Sequence, residues 1–182
     1  MSASTQNSSY TVTVFTENLP GLLTEVVSVF TRIKLNIDTL TTSASTIEGI
    51  HRFTVTVKCS EKIVNKIVGQ LEKKIDVVAA FAYLSDEIVA REIAIFKVNP
   101  QLMKDAEVFE KMMEIYNPAV IEEHDDYAVL IKTGKEANIQ AMYEFLKPSG
   151  FVFEFVRSGR IAIVRAMDPF SKRLDSMDQE FH

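Results

Sequence analysis

Apolar and polar positions along the chain recur with one of two periods, and the changes of period mark the elements. Tyr10, Val12 and Val14 alternate with Thr11 and Thr13, which predicts a half-buried strand ending near Thr16. After Glu17-Asn18-Leu19-Pro20-Gly21 the spacing changes. Leu22, Leu23, Val26, Val27, Phe30 and Ile33 form one stripe of an amphipathic helix. Residues 35–47 are rich in Thr, Ser and Ile and read as a strand, followed by a turn at Glu48-Gly49. Phe53, Val55, Val57 and Cys59 alternate with Thr54, Thr56 and Lys58 and give the clearest strand. Ser60-Glu61 open a second helix on Ile63, Ile67, Val68 and Leu71, and 75–84 reads as an apolar strand. The order is βαββαβ.

The second half repeats it. Residues 91–98 read as a strand. Pro100 opens a helix carrying Leu102, Ala106, Phe109, Met113 and Tyr116, which Pro118 ends. Residues 119–123 and 127–132 read as a hairpin around His124-Asp125-Asp126. Gly134 precedes a helix on Ile139, Met142, Tyr143 and Leu146, stopped by Pro148 and Gly150. Phe151, Phe153 and Phe155 then alternate with Val152, Glu154 and Val156, and Ser158-Gly159 turns the chain into 161–164. The expectation is an α+β protein of two tandem ferredoxin-like βαββαβ sandwiches, in residues 10–85 and 86–167. Residues 1–9 are expected to be a disordered tail and 168–182 a polar one. In each copy two one-faced helices cover one face of a four-stranded antiparallel sheet. The other face and the edge strands are left to a partner, so a homodimer is expected.

Composition narrows the function. Among 182 residues, 20 Lys and Arg stand against 25 Asp and Glu, a net charge of −5, which argues against general nucleic-acid binding. The longest apolar run, residues 77–84, is too short to span a bilayer, and the first residues lack the basic and apolar regions of a signal peptide. The single cysteine, Cys59, excludes an internal disulfide and a multi-Cys metal site. A soluble, cytoplasmic protein is expected, without membrane or nucleic-acid partners. His51, His124 and His182 have no ligating neighbour at helical metal spacing, and Cys59 lies on the inward register of its strand. Neither a Gly-rich phosphate loop nor a Gly-x-Ser-x-Gly elbow is present. Arg157, Arg160, Arg165, Lys172 and Arg173 read as charged surface. The residues present no catalytic group, no metal site and no cofactor site of this chain's own.

One segment carries chemistry. In Glu17-Asn18-Leu19-Pro20-Gly21-Leu22-Leu23, Pro20 suits a first helical turn and Gly21 lets a ligand or another backbone approach. The N–H groups of Gly21, Leu22 and Leu23 are donors at the positive end of the helix and suit a small carboxylate; Asn18 offers a donor and an acceptor. The same residues also fit an ordinary helix start, with Asn18 as N-cap.

A strand, then Asn-x-Pro-Gly-Leu-Leu, then an amphipathic helix within βαββαβ resembles the ACT domain, an amino-acid-binding module of metabolic regulation. The likeness widens beyond the loop. Glu17-Asn18…Gly21, Lys34-Leu35-Asn36-Ile37-Asp38-Thr39-Leu40-Thr41, the 53–57 strand, the 70–77 helix exit, Arg91-Glu92-Ile93 and Val156-Arg157-Ser158-Gly159 resemble the small regulatory subunit of acetohydroxyacid (acetolactate) synthase. The turn at 45–50 and the acidic loop at 124–126 depart from that pattern. The resemblance implies a non-catalytic subunit that activates a large catalytic subunit and confers feedback inhibition by valine in branched-chain amino-acid biosynthesis. Thiamine diphosphate, magnesium and FAD would belong to that catalytic partner. The effector would sit between the N-terminal ACT domains of a dimer. Asn18, Pro20, Gly21, Leu22 and Leu23 would contribute from one chain, Asn36 and Ile37 from the other. Three other readings stand beside it: a free-standing ACT-domain sensor for a different enzyme, an enzyme using Glu17, His51 or Arg157, and a purely structural dimerisation module.

Overall fold

The computed structural model describes residues 7–166. Of the two expected tails, residues 1–6 and 168–182 lie outside the described residues, whereas Ser8 and Ser9 already belong to the first strand. By the contacts between its residues the chain divides into two compact units. Residues 7–90 with 160–166 form one, and 91–159 the other.

The first unit runs β1 (Ser8–Glu17), α1 (Leu22–Arg32), β2 (Thr39–Ala44), β3 (Ile50–Cys59), α2 (Glu61–Leu71) and β4 (Val77–Leu84). The strands pair antiparallel in the order β2-β3-β1-β4. Alternation along β1 and β3 puts Val12, Val14, Phe53, Val55, Val57 and Cys59 on one face, where they pack against Val26 and Phe30 of α1 and Val64, Ile67 and Leu71 of α2. In α2 the buried stripe is Val64, Ile67 and Leu71 rather than one starting at Ile63, which is 38% exposed. The second strand is shorter than 35–47, because α1 ends in a Schellman motif that takes up residues 33–35. Leu35 N–H bonds the Phe30 carbonyl and Lys34 N–H the Thr31 carbonyl, at 3.1 and 3.0 Å. Lys34, at φ 55°, holds the left-handed position where glycine is usual, and Leu35 packs onto the core.

The centre of the opposite face is built from threonines, with Phe15 of β1 and Phe81 and Tyr83 of β4 beside them. The register aligns Thr39, Thr56 and Thr11 in one row and Thr41, Thr54 and Thr13 in the next. Thr11, Thr13, Thr54 and Thr56 are all buried, so this face is not the open surface that the sequence suggested. Part of its cover comes from far along the chain. The start of β5 (Ile88–Val98) pairs with β9 (Ile161–Val164), and Arg165 N–H bonds the Glu87 carbonyl. Arg160 donates to Thr11 Oγ1 at 3.0 Å, and Arg52 Nη2 donates to the Ala162 carbonyl. Residues 86–90 and 160–166, placed by the sequence pattern in the second domain, therefore group with the first.

The second unit contains the remainder of β5, α3 (Gln101–Lys104), α4 (Ala106–Tyr116), β6 (Ala119–Glu123), β7 (Ala128–Gly134), α5 (Glu136–Leu146), a 3-10 turn at Lys147–Ser149 and β8 (Val152–Arg157). Its sheet order is β6-β7-β5-β8. The single helix expected over 100–116 is two. Asp105 leaves helical geometry at ψ 87° and its carboxylate accepts the Val108 N–H, capping α4. Phe96, Leu102, Met112, Leu130, Ile139, Met142 and Leu146 fill the core, with Phe155 between Phe96 and Tyr143 at ring distances of 4.7 Å. Arg91-Glu92-Ile93 and Arg157-Ser158-Gly159 meet in this unit. Ser158 both donates to the Ile93 carbonyl and accepts its N–H, and Arg157 stands 3.4 Å from the buried Glu92 and from Glu136.

Candidate functional site

The segment from Asn18 to Leu23 links β1 to α1, and its position is fixed before it begins. A bulge between Phe15 and Thr16 ends the regular pairing with β4. Glu17 N–H then bonds the Asp76 carbonyl and Asn18 N–H the Gly49 carbonyl, at 3.1 and 2.9 Å. The turn thus hangs from the loops on either side of its strand. Gly49, at φ 78°, makes one of them possible.

Gly21 is the N-cap of α1 at φ 92°, ψ −16°. That is the geometry a type II turn needs at its third residue, and Pro20 before it is the residue favoured at the second. Pro20 therefore lies ahead of the helix, not in its first turn. Asn18 makes no N-cap bond, and α1 has no side-chain cap at all. Its first helical bond runs from Glu25 N–H to the Gly21 carbonyl, which leaves the amides of Leu22, Leu23 and Thr24 at the head of the helix. A Cβ built on Gly21 would meet no atom within 4 Å. The space beside the Gly21 Cα is open.

Asn18, Pro20, Gly21 and Leu23 are exposed in this turn, while Leu22 is buried, 4% exposed. The Leu22 side chain anchors the helix start, while its amide stays at the head of the helix. Asn36 and Ile37 lie in the connection between α1 and β2, with Asn36 exposed and Ile37 packed on the core. The two groups are at opposite ends of α1. Eleven residues at 1.5 Å each separate them by about 16 Å, so one chain does not bring them around a single small molecule.

Electrostatics at the turn involve a residue that the sequence pattern did not single out. Glu25, in the first turn of α1, would repel an anion at the helix head; Lys74 pairs with it at 3.0 Å. Lys74 sits 49 positions away in the exit of α2, and no local spacing connects the two. Beside the turn, Leu23, Thr24, Val27, Ser28, Thr31 and Arg32 line an open groove of about 430 Å³ along the outer face of α1. Among the described residues, β2 pairs with a strand on one side only, at the edge of the sheet.

Glu17 and His51 lie on the paired strands β1 and β3, and Arg157 pairs with Glu92 and Glu136. His124 bonds Glu122 on an exposed turn. Burial pushes the Cys59 thiol above its ordinary pKa, the reverse of what a nucleophile needs. Among the described residues no group of His, Cys, Asp and Glu forms a metal site, and no helix is long and apolar enough to cross a membrane.

Comparison with known proteins agrees in both halves. Residues 12–79 match the family model of the AHAS small subunit-like ACT domain, and residues 91–166 that of the small subunit of acetolactate synthase. The acetolactate synthase small subunit of Bacillus subtilis is 30% identical over 155 residues, 85% of this chain and 89% of that protein. A probable acetolactate synthase small subunit of Archaeoglobus fulgidus is 28% identical over 156 residues, 86% and 96% of the two chains. The crystal structure of the acetolactate synthase small subunit from Thermotoga maritima superposes with a TM-score of 0.77 at 27% identity, covering 88% of this chain and 99% of that one. The likeness runs through the first sheet, the paired Arg91–Ile93 and Arg157–Gly159 segments and the returning last strand alike, and the chain belongs to the acetolactate synthase small-subunit family.

Proposed function

We propose that this chain is a regulatory subunit that binds valine or another branched-chain amino acid and transmits that binding to a catalytic acetolactate synthase subunit, which it activates and through which valine inhibits. The observation that carries the reading is the uncapped head of α1 behind the Pro20-Gly21 turn, open to solvent and offering three amides to a carboxylate. The names of the matched relatives supply the partner: a small subunit works with a large one. The separation of the turn from Asn36 and Ile37 along α1 supports a site completed by a second copy. In that dimer the turn of one protomer faces the α1–β2 connection of the other, with the α1 groove and the free edge of β2 as the surfaces brought together.

Regulation then requires that the effector bind one arrangement of the dimer better than another. A coupling of about 1–3 kcal/mol is enough for marked inhibition. The reaction itself, with thiamine diphosphate, magnesium and FAD, belongs to the catalytic partner. Acetolactate formation by the large subunit, measured with and without this chain and titrated with valine, tests the reading. Stimulation by the chain and loss of that stimulation with valine are expected. An unchanged rate on adding the chain overturns the activating role, and a valine-insensitive rate overturns the effector. Asn36→Ala should weaken valine binding measured by calorimetry; full affinity in that variant removes the second-protomer half of the site.

A further inference from the structure

The groove of about 430 Å³ on α1 runs the length of the helix, from Leu23 at its head to Arg32 at its tail. Its hydroxyls are already bonded. Ser28 Oγ donates to the Glu25 carbonyl at 2.7 Å and Thr31 Oγ1 to the Val27 carbonyl at 3.1 Å, both within α1. Covering the groove therefore strands neither hydroxyl, and Leu23, 44% exposed, adds apolar surface to be covered.

Charge along this helix has a direction. Glu25 stands in the first turn and Arg32 in the last, and both are exposed. Seven positions set them within about 20° of the same side of the helix and about 10 Å apart along its axis. That is beyond the three- and four-residue spacings at which side chains of one helix pair. Lys74 meets Glu25 Oε2 at 3.0 Å, and a carboxylate accepts at both of its oxygens. A second α1 laid antiparallel in the groove brings head to tail. Each Glu25 then faces the partner's Arg32, twice over, around a centre at Ser28. A parallel pair would set Glu25 beside Glu25 and Arg32 beside Arg32. The helix is thus complementary to its own reversed copy, which is what a two-fold contact requires.

We propose that the occupant of this groove is α1 of a second copy, antiparallel and centred on Ser28, and that the partner's Arg32 pairs with Glu25 beside the helix head. The inference deepens the two-copy effector site proposed above and rests on it for its regulatory meaning. Lys74 reaches Glu25 within one chain, whereas Arg32 does so only across the seam. The charge next to the amides of Leu22, Leu23 and Thr24 then depends on how the two copies are arranged. An arrangement that draws Arg32 away returns negative charge to donors that hold a carboxylate, so the seam and the effector are linked.

Cysteine pairs test the register. Helix axes about 8–10 Å apart, with each Cα about 2.3 Å from its axis, bring facing Cα atoms within disulfide range. Oxidised in dilute solution, the full chain with Ser28→Cys should form a linked dimer. Thr24→Cys alone should not, but an exchanged mixture of T24C and T31C should; Cys59, 1% exposed, contributes little background. By sedimentation, Arg32→Gln should raise the dimer Kd about three- to tenfold, and less than about twofold when Glu25→Gln is already present. Calorimetry should show R32Q raising the Kd for valine about two- to fivefold. Melts followed by circular dichroism check each fold, and the R32Q and E25Q cycle decides where a cysteine variant does not fold. A chain that stays monomeric, an S28C dimer that does not link, T24C linking as readily as S28C, or equal R32Q effects in both backgrounds overturns the docking. An unchanged valine Kd in R32Q removes Arg32 from the effector site. If the links form and the cycle couples while the unaltered chain binds no valine, the docking stands and the effector reading falls.

Discussion

Gly21 separates two effects that a single substitution usually confounds. At φ 92° any L-residue pays for left-handed backbone geometry, about 1–2 kcal/mol, whatever its side chain. A Cβ there meets nothing within 4 Å, so no clash adds to that cost. For a chain of this size, 1–2 kcal/mol corresponds to a fall in Tm of roughly 2–8 °C. Gly21→Ala and Gly21→Asp should therefore destabilise by similar amounts, with Asp slightly milder because it tolerates the left-handed region and complements the helix dipole. Their effects on the effector should diverge. The carboxylate introduced by Gly21→Asp reaches the amides of Leu22, Leu23 and Thr24 itself and repels the carboxylate of valine. Losing a charge-assisted hydrogen bond is worth about 1.5–3 kcal/mol, or about 10–150-fold in Kd. Calorimetry with valine on each variant, beside thermal melts, provides both numbers. Assays with the catalytic subunit should show stimulation retained and valine inhibition lost in Gly21→Asp. Wild-type affinity for valine in a Gly21→Asp protein whose Tm has fallen as expected would refute the placement of the effector at this turn.

Three further outcomes follow from particular contacts. Lys74→Gln leaves Glu25 uncompensated at the helix head and should raise the Kd for valine about two- to fivefold, an effect that shrinks in high salt; an unchanged Kd at low salt removes Lys74 from the site. Arg157→Ala removes an ion-pair partner of the buried Glu92 carboxylate and should cost about 2–3 kcal/mol in urea unfolding, with partial recovery in R157A/E92Q; no recovery means the loss is one of packing. Because burial raises the Cys59 thiol pKa, the folded state holds that proton more tightly than the unfolded chain. The thiol's contribution to stability is complete below the ordinary value of 9.0 and declines as pH rises past it. Cys59 labelling at pH 8 should accordingly track global unfolding, and fast labelling of the native protein contradicts its burial.

The legible parts of the sequence were those with a local cause. Alternation in Tyr10–Val14 and Phe53–Cys59 marked the two central strands, and both are paired and buried as the pattern requires. The Pro-Gly turn was visible because its geometry demands those residues. The departures have two sources, an ambiguous local spelling and contacts made at a distance. Asp105 breaks a stripe that looks continuous, since a capping carboxylate and a helical polar position are spelled alike. Ile63 was placed inward by one helical step, which the phase of Val64, Ile67 and Leu71 corrects. Nothing near Lys74 announces Glu25, and nothing near Ala162 announces Arg52, because both contacts are made only by the closed fold. The burial of the Leu22 side chain is of the same kind, since the motif alone does not say that this side chain anchors the helix while its amide stays at the helix head.

The first unit is discontinuous in the chain, and that has a consequence on the ribosome. Its opening ninety positions emerge early, but Arg160 and Ala162, which reach Thr11 and Arg52, emerge only after the roughly 70 residues of Arg91–Gly159, about 4–14 s later at ordinary elongation rates. During that interval the nascent sheet shows water the face that is later covered. Valines there would offer an adhesive plane to every neighbouring polypeptide. Threonines keep the same β-branched shape while their hydroxyls stay wetted, so the centre of the half-made sheet is less adhesive than valines would leave it while it waits for its own last strand.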